Sequence, residues 1–398
     1  MRIRVFRALI GMAACLVATA TCAADITWNG SGADPAIGAN WAGGFAPTAA
    51  DRAIIGSSPQ SPDFAGQSIT WGRVQLNFAN NVGDTGGGGV LNLTGGNPRF
   101  FSAGDNHLST IAVDIVAAGT GTIQTNGTHS VTFNGDVTAA KVEAFGGSVA
   151  TFNGKVTQTD EFMSIGGGGS KIVINNEFYW NNNNHGINNN PTVELGAGAK
   201  FFRPDGAGGF LPGLDVFNIY DGATVRILAD NALGNGDTDI WSRNTTNNFD
   251  MNGFNQLVEF FGMGDPPAAL NIKFGAASGA NQLIWEASHG MNGTGLYNVQ
   301  QFEPGLDTLE FGQHGGDGGF HNPAKLSRIT INGAAYSATS PGVGIPFWNT
   351  IDTPNGSDDP GRQIAVYHDG VVPEPGSLAL GGMALAAIAC SRRKRVLR

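Results

Sequence analysis

The chain has 398 residues, 22 of them Lys or Arg, 32 Asp or Glu and 61 Gly. Three basic residues fall in the first 24 positions, and five basic and one acidic in the last 26, so the 348 residues between them carry 14 basic and 31 acidic side chains, a net charge of −17. A surface that negative repels DNA, RNA and anionic lipid, which excludes nucleic acid as a partner.

The first 24 residues read as a signal peptide. Arg2, Arg4 and Arg7 form a positive n-region, residues 8–20 an apolar h-region, and Thr21-Cys22-Ala23-Ala24 a small-residue site for signal peptidase. Cleavage after Ala23 or Ala24 starts the mature chain near Asp25. Thr21 before Cys22 is a poor fit to a lipoprotein signal. The three cysteines, Cys15, Cys22 and Cys390, all lie in the processed ends, so no disulfide staples the exported part despite an oxidising destination. Stability must come from packing and backbone hydrogen bonds.

From residue 25 to 372 the pattern is all-β. Short alternating runs such as Ser68-Ile69-Thr70-Trp71, Val90-Leu91-Asn92-Leu93, Lys171-Ile172-Val173-Ile174 and Ile329-Thr330-Ile331 are bounded by Gly, Asn or Asp. No segment between them has a helical apolar period, so helix is expected only in the signal peptide and a C-terminal membrane segment. Val131-Thr132-Phe133-Asn134-Gly135-Asp136-Val137-Thr138 returns as Ala150-Thr151-Phe152-Asn153-Gly154-Lys155-Val156-Thr157, 19 residues on. Leu195-Gly196-Ala197-Gly198-Ala199-Lys200-Phe201 is matched after 24 residues by Ile219-Tyr220-Asp221-Gly222-Ala223-Thr224-Val225. A period of 19–24 residues suits one coil of a parallel β-solenoid, or β-helix, with Phe133 and Phe152 stacked inside neighbouring coils. About 240 residues at that period make on the order of ten coils. The asparagines of 181–184 and 188–190 are expected either to stack as turn ladders or to form a plain loop. Asp265-Pro266-Pro267 would interrupt a ladder, so the solenoid is placed at 25–265 and a C-terminal β-rich segment at 266–372.

Several segments carry a family likeness. They are Ile26-Thr27-Trp28-Asn29-Gly30 with Asn40-Trp41, Pro47 and Asp51-Arg52-Ala53-Ile54-Ile55; Phe249-Asp250-Met251-Asn252-Gly253-Phe254-Asn255-Gln256; Leu306-Asp307-Thr308-Leu309-Glu310-Phe311-Gly312; and Ile329-Thr330-Ile331-Asn332-Gly333. Together they resemble the autotransporter-associated β-strand repeat proteins. That family has no single activity, so the resemblance implies fold and location alone.

Sites for chemistry are sparse. There is no G-x-S-x-G elbow, and Gly154-Lys155 is followed by Val156, which rules out a Walker A loop. His314, Asp317 and His321 fall within eight residues around Gly315-Gly316-Asp317-Gly318-Gly319, but closed zinc sites take four ligands and calcium-binding nonapeptides need several stacked repeats. Asp230, Asp237 and Asp239 flank a Gly-Asn-Gly turn without the EF-hand order. Glu143, Glu161, Glu177 and Glu194 are spaced by 18, 16 and 17 residues, off the coil period. Trp28, Trp41, Trp71, Trp180 and Trp241 are read as core or capping aromatics, with stacking on sugar rings as the alternative. No catalytic residue, metal site or cofactor is assigned.

The C-terminus is the most specific feature. Pro373-Glu374-Pro375 is followed by the apolar run 378–390 and then by Arg392, Arg393, Lys394 and Arg395. This order resembles the PEP-CTERM sorting signal, which implies cleavage near the Pro-Glu-Pro by an exosortase-type membrane protease. Thirteen apolar residues make about 20 Å of helix against about 30 Å of hydrocarbon, a deficit that snorkelling arginines partly offset. The basic cluster should stay cytoplasmic as a stop-transfer signal, leaving residues 373–398 as a sorting tail. The expectation is a non-enzymatic structural or adhesive protein of the cell surface or extracellular matrix, with extracellular polysaccharide as a partner to test. The alternative is a carbohydrate-active β-helix, either a lyase or hydrolase or a binding module.

Overall fold

A computed structural model describes residues 23–160, 162–166, 169–181, 185–188, 190, 192–214, 216–233, 238–264, 268–275, 281–285, 295–303, 306–311, 327–335, 347–353 and 362–368. These form a parallel β-solenoid with three faces, and the only helical element among them is the 3-10 turn Gly38–Asn40. The first face is an eleven-stranded sheet running from Asp25–Thr27 to Phe260–Met263. The second, also of eleven strands, starts at Leu108–Ile111 and ends with a short antiparallel return at Ala334–Ala335. The third begins at Ser68–Trp71 and continues through eight strands to Phe210–Pro212. From Arg99–Ala103 to Lys200–Pro204 each coil takes a strand from each face in that order, and the expected stack of about ten is met by the eleven strands of each of the two longer sheets.

The 131–157 repeat shows what each position does. Val131–Phe133 pairs with Ala150–Phe152 in register, so both phenylalanines point inward. At the next position Asn153 Nδ2 donates to Asn134 Oδ1 at 2.8 Å, and Asn175 Nδ2 donates to Asn153 Oδ1 at 2.8 Å. Gly135 and Gly154 then turn the corner where a Cβ would collide with the backbone of the coil before, at Val113 and Gly135 respectively. Aromatic burial drives the coil, and the polar corner fixes its register.

Two expectations change in detail, and a third falls partly outside the described residues. Leu195 pairs with Ile227, not with Ile219, which lies on the first face. The Leu195 and Ile219 segments match because both lead into a corner turn, each at a different corner. The step between rungs also varies more than expected, from 19 residues (Asn134 to Asn153) to 32 (Glu194 to Arg226). The long step carries an antiparallel hairpin, Lys200–Pro204 with Phe210–Pro212, which ends the third-face sheet. That face resumes as Gln256–Val258, Gln282–Trp285 and Thr308–Phe311. Lastly, the side-chain ladders are built by Asn134, Asn153 and Asn175 and by Asn248, Asn271 and Asn298; Asn182, Asn183, Asn184 and Asn189 lie outside the described residues.

Asp265, Pro266 and Pro267 are also outside the described residues, but the strands on either side, Thr246–Asp250 and Ala269–Lys273, pair in parallel. The second-face ladder therefore continues past the position where the sequence suggested a division, through Leu296–Gln300 to Ile329–Ile331. Farther on, Phe347–Thr353 and Arg362–His368 form an antiparallel pair.

The N-terminal end is closed by aromatics. Trp28 and Trp41 meet edge to face at 4.9 Å, Trp41 and Trp71 at 5.3 Å, and Phe64 and Trp71 at 5.8 Å. Indole N–H groups of Trp28 and Trp41 donate to the carbonyls of Gln60 and Pro35. The first coil thus buries its open end under the 28–41 segment, as solenoid termini must.

Candidate functional site

Alternation puts every second residue of a first-face strand on the outside. In register, Arg52 pairs with Arg73 and Arg73 with Arg99; the next two rungs carry Thr122 and Lys141 at this position. The neighbouring outward column is Gln75, Phe101, Gln124 and Glu143. Three arginines on successive rungs stand roughly 4.8 Å apart along the sheet. Like charges directly opposite destabilise a strand pair by up to about 1 kcal/mol, so this row opposes folding.

The three differ in how they are held. Arg52 takes the carboxylate of Asp25 across the strand pair, with its Nε donating to Oδ1 at 2.8 Å and Nη2 donating to Oδ2. Arg73 Nε donates to the carbonyl of Asn97 at 3.0 Å. The Arg99 guanidinium lies 4.9 Å from the centre of the Phe101 ring. Among the described residues neither Arg73 nor Arg99 has a carboxylate within ion-pair distance. Arg52, Arg73, Val74, Gln75, Arg99 and Phe101 line one shallow pocket of about 170 Å³.

Farther along the same face, Thr122, Lys141, Glu143, Thr159 and Asp160 line a second cleft of about 430 Å³. Lys141 Nζ is 3.4 Å from Asp160. Burial raises the Glu143 carboxyl above its ordinary range, while the charges of Lys141 and Arg99 oppose the shift.

The other candidates are dispersed. Glu143 is on the first face, Glu194 on the second and Glu177 on the third, while Glu161 lies outside the described residues. Glu194 belongs to a charge ladder, accepting from Lys171 at 2.7 Å and facing Arg226 at 3.3 Å, with Arg226 also bonded to Asp250. Trp28, Trp41, Trp71 and Trp180 are buried; Trp241 is half-exposed, with the Arg243 guanidinium 4.6 Å from its ring. Asp230 accepts the backbone N–H of Asn255 and Asp239 starts a first-face strand. Asp237, His314, Asp317 and His321 are outside the described residues, among which no group of three acidic, His or Cys side chains is placed to hold a metal.

Two features escape a sequence reading. The arginine row is invisible until register is known, because its members are unequally spaced. The second is a buried contact between Ser109 Oγ and His129 Nε2 at 2.9 Å, with the His107 ring 5.9 Å from that of His129. Both partners face the solenoid interior, where no substrate reaches, so the pair holds coils together instead of acting as nucleophile and base.

Ala23 and Ala24 are exposed just ahead of the first strand, and the Ala24 N–H donates to Asp51 Oδ1 at 3.0 Å. Pro373, Glu374, Pro375, Arg392, Arg393, Lys394, Arg395 and the apolar run 378–390 lie outside the described residues. Among the described residues no helix is long and apolar enough to cross a membrane. No curated protein and no solved structure matches the chain. Residues 371–394 match the PEP-CTERM protein-sorting motif, which supports export to the cell surface or extracellular space and implies processing by an exosortase-type system.

Proposed function

We propose that the protein is a non-enzymatic structural or adhesive component of the extracellular layer, made as a precursor and trimmed at both ends. Signal peptidase would cut after Ala23 or Ala24, and the tail would hold the chain in the membrane until an exosortase-type protease cuts near Pro373. The observation that carries this reading is the rung-to-rung cross-linking of the outer surface. Asn248, Asn271 and Asn298 bond in series at 3.0 Å, Thr330 Oγ1 continues to Asn298 at 3.1 Å, and the Lys171, Glu194, Arg226 and Asp250 ladder runs beside them. Such ties make a stiff rod with broad polar faces, a shape suited to scaffolding.

A second reading, a carbohydrate-active enzyme, draws on the cleft that joins Glu143, Lys141 and Asp160. One experiment separates the two. Cells lacking the protein should lose cohesion of their extracellular layer, and adding back the secreted protein with Glu143→Gln should restore it as fully as the unaltered protein. Polysaccharide turnover abolished by Glu143→Gln would overturn the structural reading.

A further inference from the structure

We infer that the row Arg52, Arg73 and Arg99 is a binding site for a carboxylate-bearing polysaccharide, a polyuronate laid along the first face. The inference rests on the extracellular location and deepens the reading above. The row already shows its ligand chemistry. At its first rung Arg52 holds a carboxylate in a two-bond fork, that of Asp25, while the next two arginines have no acidic partner among the described residues. A guanidinium fork matches the planar carboxylate, and such charge-assisted pairs are the stronger hydrogen bonds.

Geometry favours a polymer over a small anion. The cations repeat at the strand spacing along one line, so successive charged groups of one chain can meet successive rungs. The pocket between them is shallow and shared by all three. Gln75, whose amide donates to Asn77 Oδ1 at 3.0 Å, keeps its carbonyl oxygen for a sugar hydroxyl. Phe101, in the neighbouring outward column, adds an apolar surface beside the arginines.

Charge and stacking disfavour nucleic acid. The exported part carries a net −17, which repels duplex DNA, with roughly one charge per 1.7 Å of helix axis, more than a polyuronate with one carboxylate per sugar. One face of Phe101 is already covered by Arg99, which leaves little of the platform that single strands use. An anion among the arginines would also relieve their mutual repulsion.

The test is calorimetric titration of the secreted protein with oligogalacturonate, its methyl ester, dextran sulfate and duplex DNA, at two salt concentrations. Oligogalacturonate should bind and weaken as salt rises, and the ester should not bind. Arg73→Gln with Arg99→Gln should weaken binding tenfold or more while leaving the thermal midpoint unchanged or higher, because a repulsive pair is removed. No binding of oligogalacturonate, equal binding of the ester, binding of dextran sulfate or DNA at least as tight, or full binding by the double variant would each overturn the inference. None of these outcomes bears on the structural reading, which fails instead on polymer turnover by Glu143.

Discussion

Phe133 and Phe152 stack face to face inside neighbouring coils, with ring centres 4.9 Å apart and planes 9° from parallel. They are register partners; the column continues as Ile111 on one side and Ile174 on the other, and Phe100, on the first face, meets Phe133 edge-on at 5.4 Å across the core. The spacing of the rings is the spacing of the strands. Side-chain packing and the backbone ladder therefore enforce the same register.

Truncating one ring breaks the column at its centre. Phe152→Ala should cost about 3–5 kcal/mol in equilibrium denaturation, and Phe152→Asp more, since it buries a charge with no partner. Phe152→Leu should cost under half as much as Phe152→Ala. Equal costs for the Leu and Ala variants would show that the site is not packed as described.

The corner makes a separate demand. A Cβ at Gly154 would collide with the Gly135 carbonyl, so Gly154→Ala should destabilise by about 1–3 kcal/mol although it adds only a methyl group. Gly87, where a Cβ meets nothing, provides the contrast in space alone, but its φ of +70° adds strain. Gly96 is the better control: it has open space and no left-handed backbone, so Gly96→Ala should be near neutral. Thermal unfolding of the two variants decides it.

His129 couples stability to pH. Burial, and then the charge of His107, lower its pKa below the ordinary 6.5. Above pH 6.5 the ring is neutral in both states and the contribution is fully present. As pH falls below 6.5 the unfolded chain takes up a proton that the folded chain refuses, so stability is lost until the folded pKa is passed. The slope can reach about 1.4 kcal/mol per pH unit. Denaturation curves at pH 7.5, 6.5 and 5.5 should show it, and His129→Gln should flatten it. An unchanged slope in that variant would assign the effect elsewhere.

The fold was legible because its signals are local. Alternating runs, corner glycines and the Phe133–Phe152 repeat each report on a single coil, and the interior position of both rings follows from them. Beyond the Phe133–Phe152 repeat, relations between coils were not legible. Arg52, Arg73 and Arg99 align only through three-dimensional register, and the hairpin at 200–212 stretches one coil without altering its strand signals. The second repeat misled because corner chemistry recurs at more than one corner. His129 reads as an ordinary polar residue until Ser109 stands beside it.

The central claim is an exported solenoid released by processing at both ends. On that proposal one cut falls ahead of the first strand, which begins at Asp25, and the other within the sorting motif at 371–394. Replacing Arg392, Arg393, Lys394 and Arg395 with Ser should remove the barrier to translocation, about 2.5–3.5 kcal/mol for each central charge, and leave the tail uncut. Intact-mass measurement of the protein recovered from the extracellular fraction tests the account directly. A chain that starts near Asp25 and ends near Pro373 is the predicted result, and one that still ends at Arg398 would contradict it.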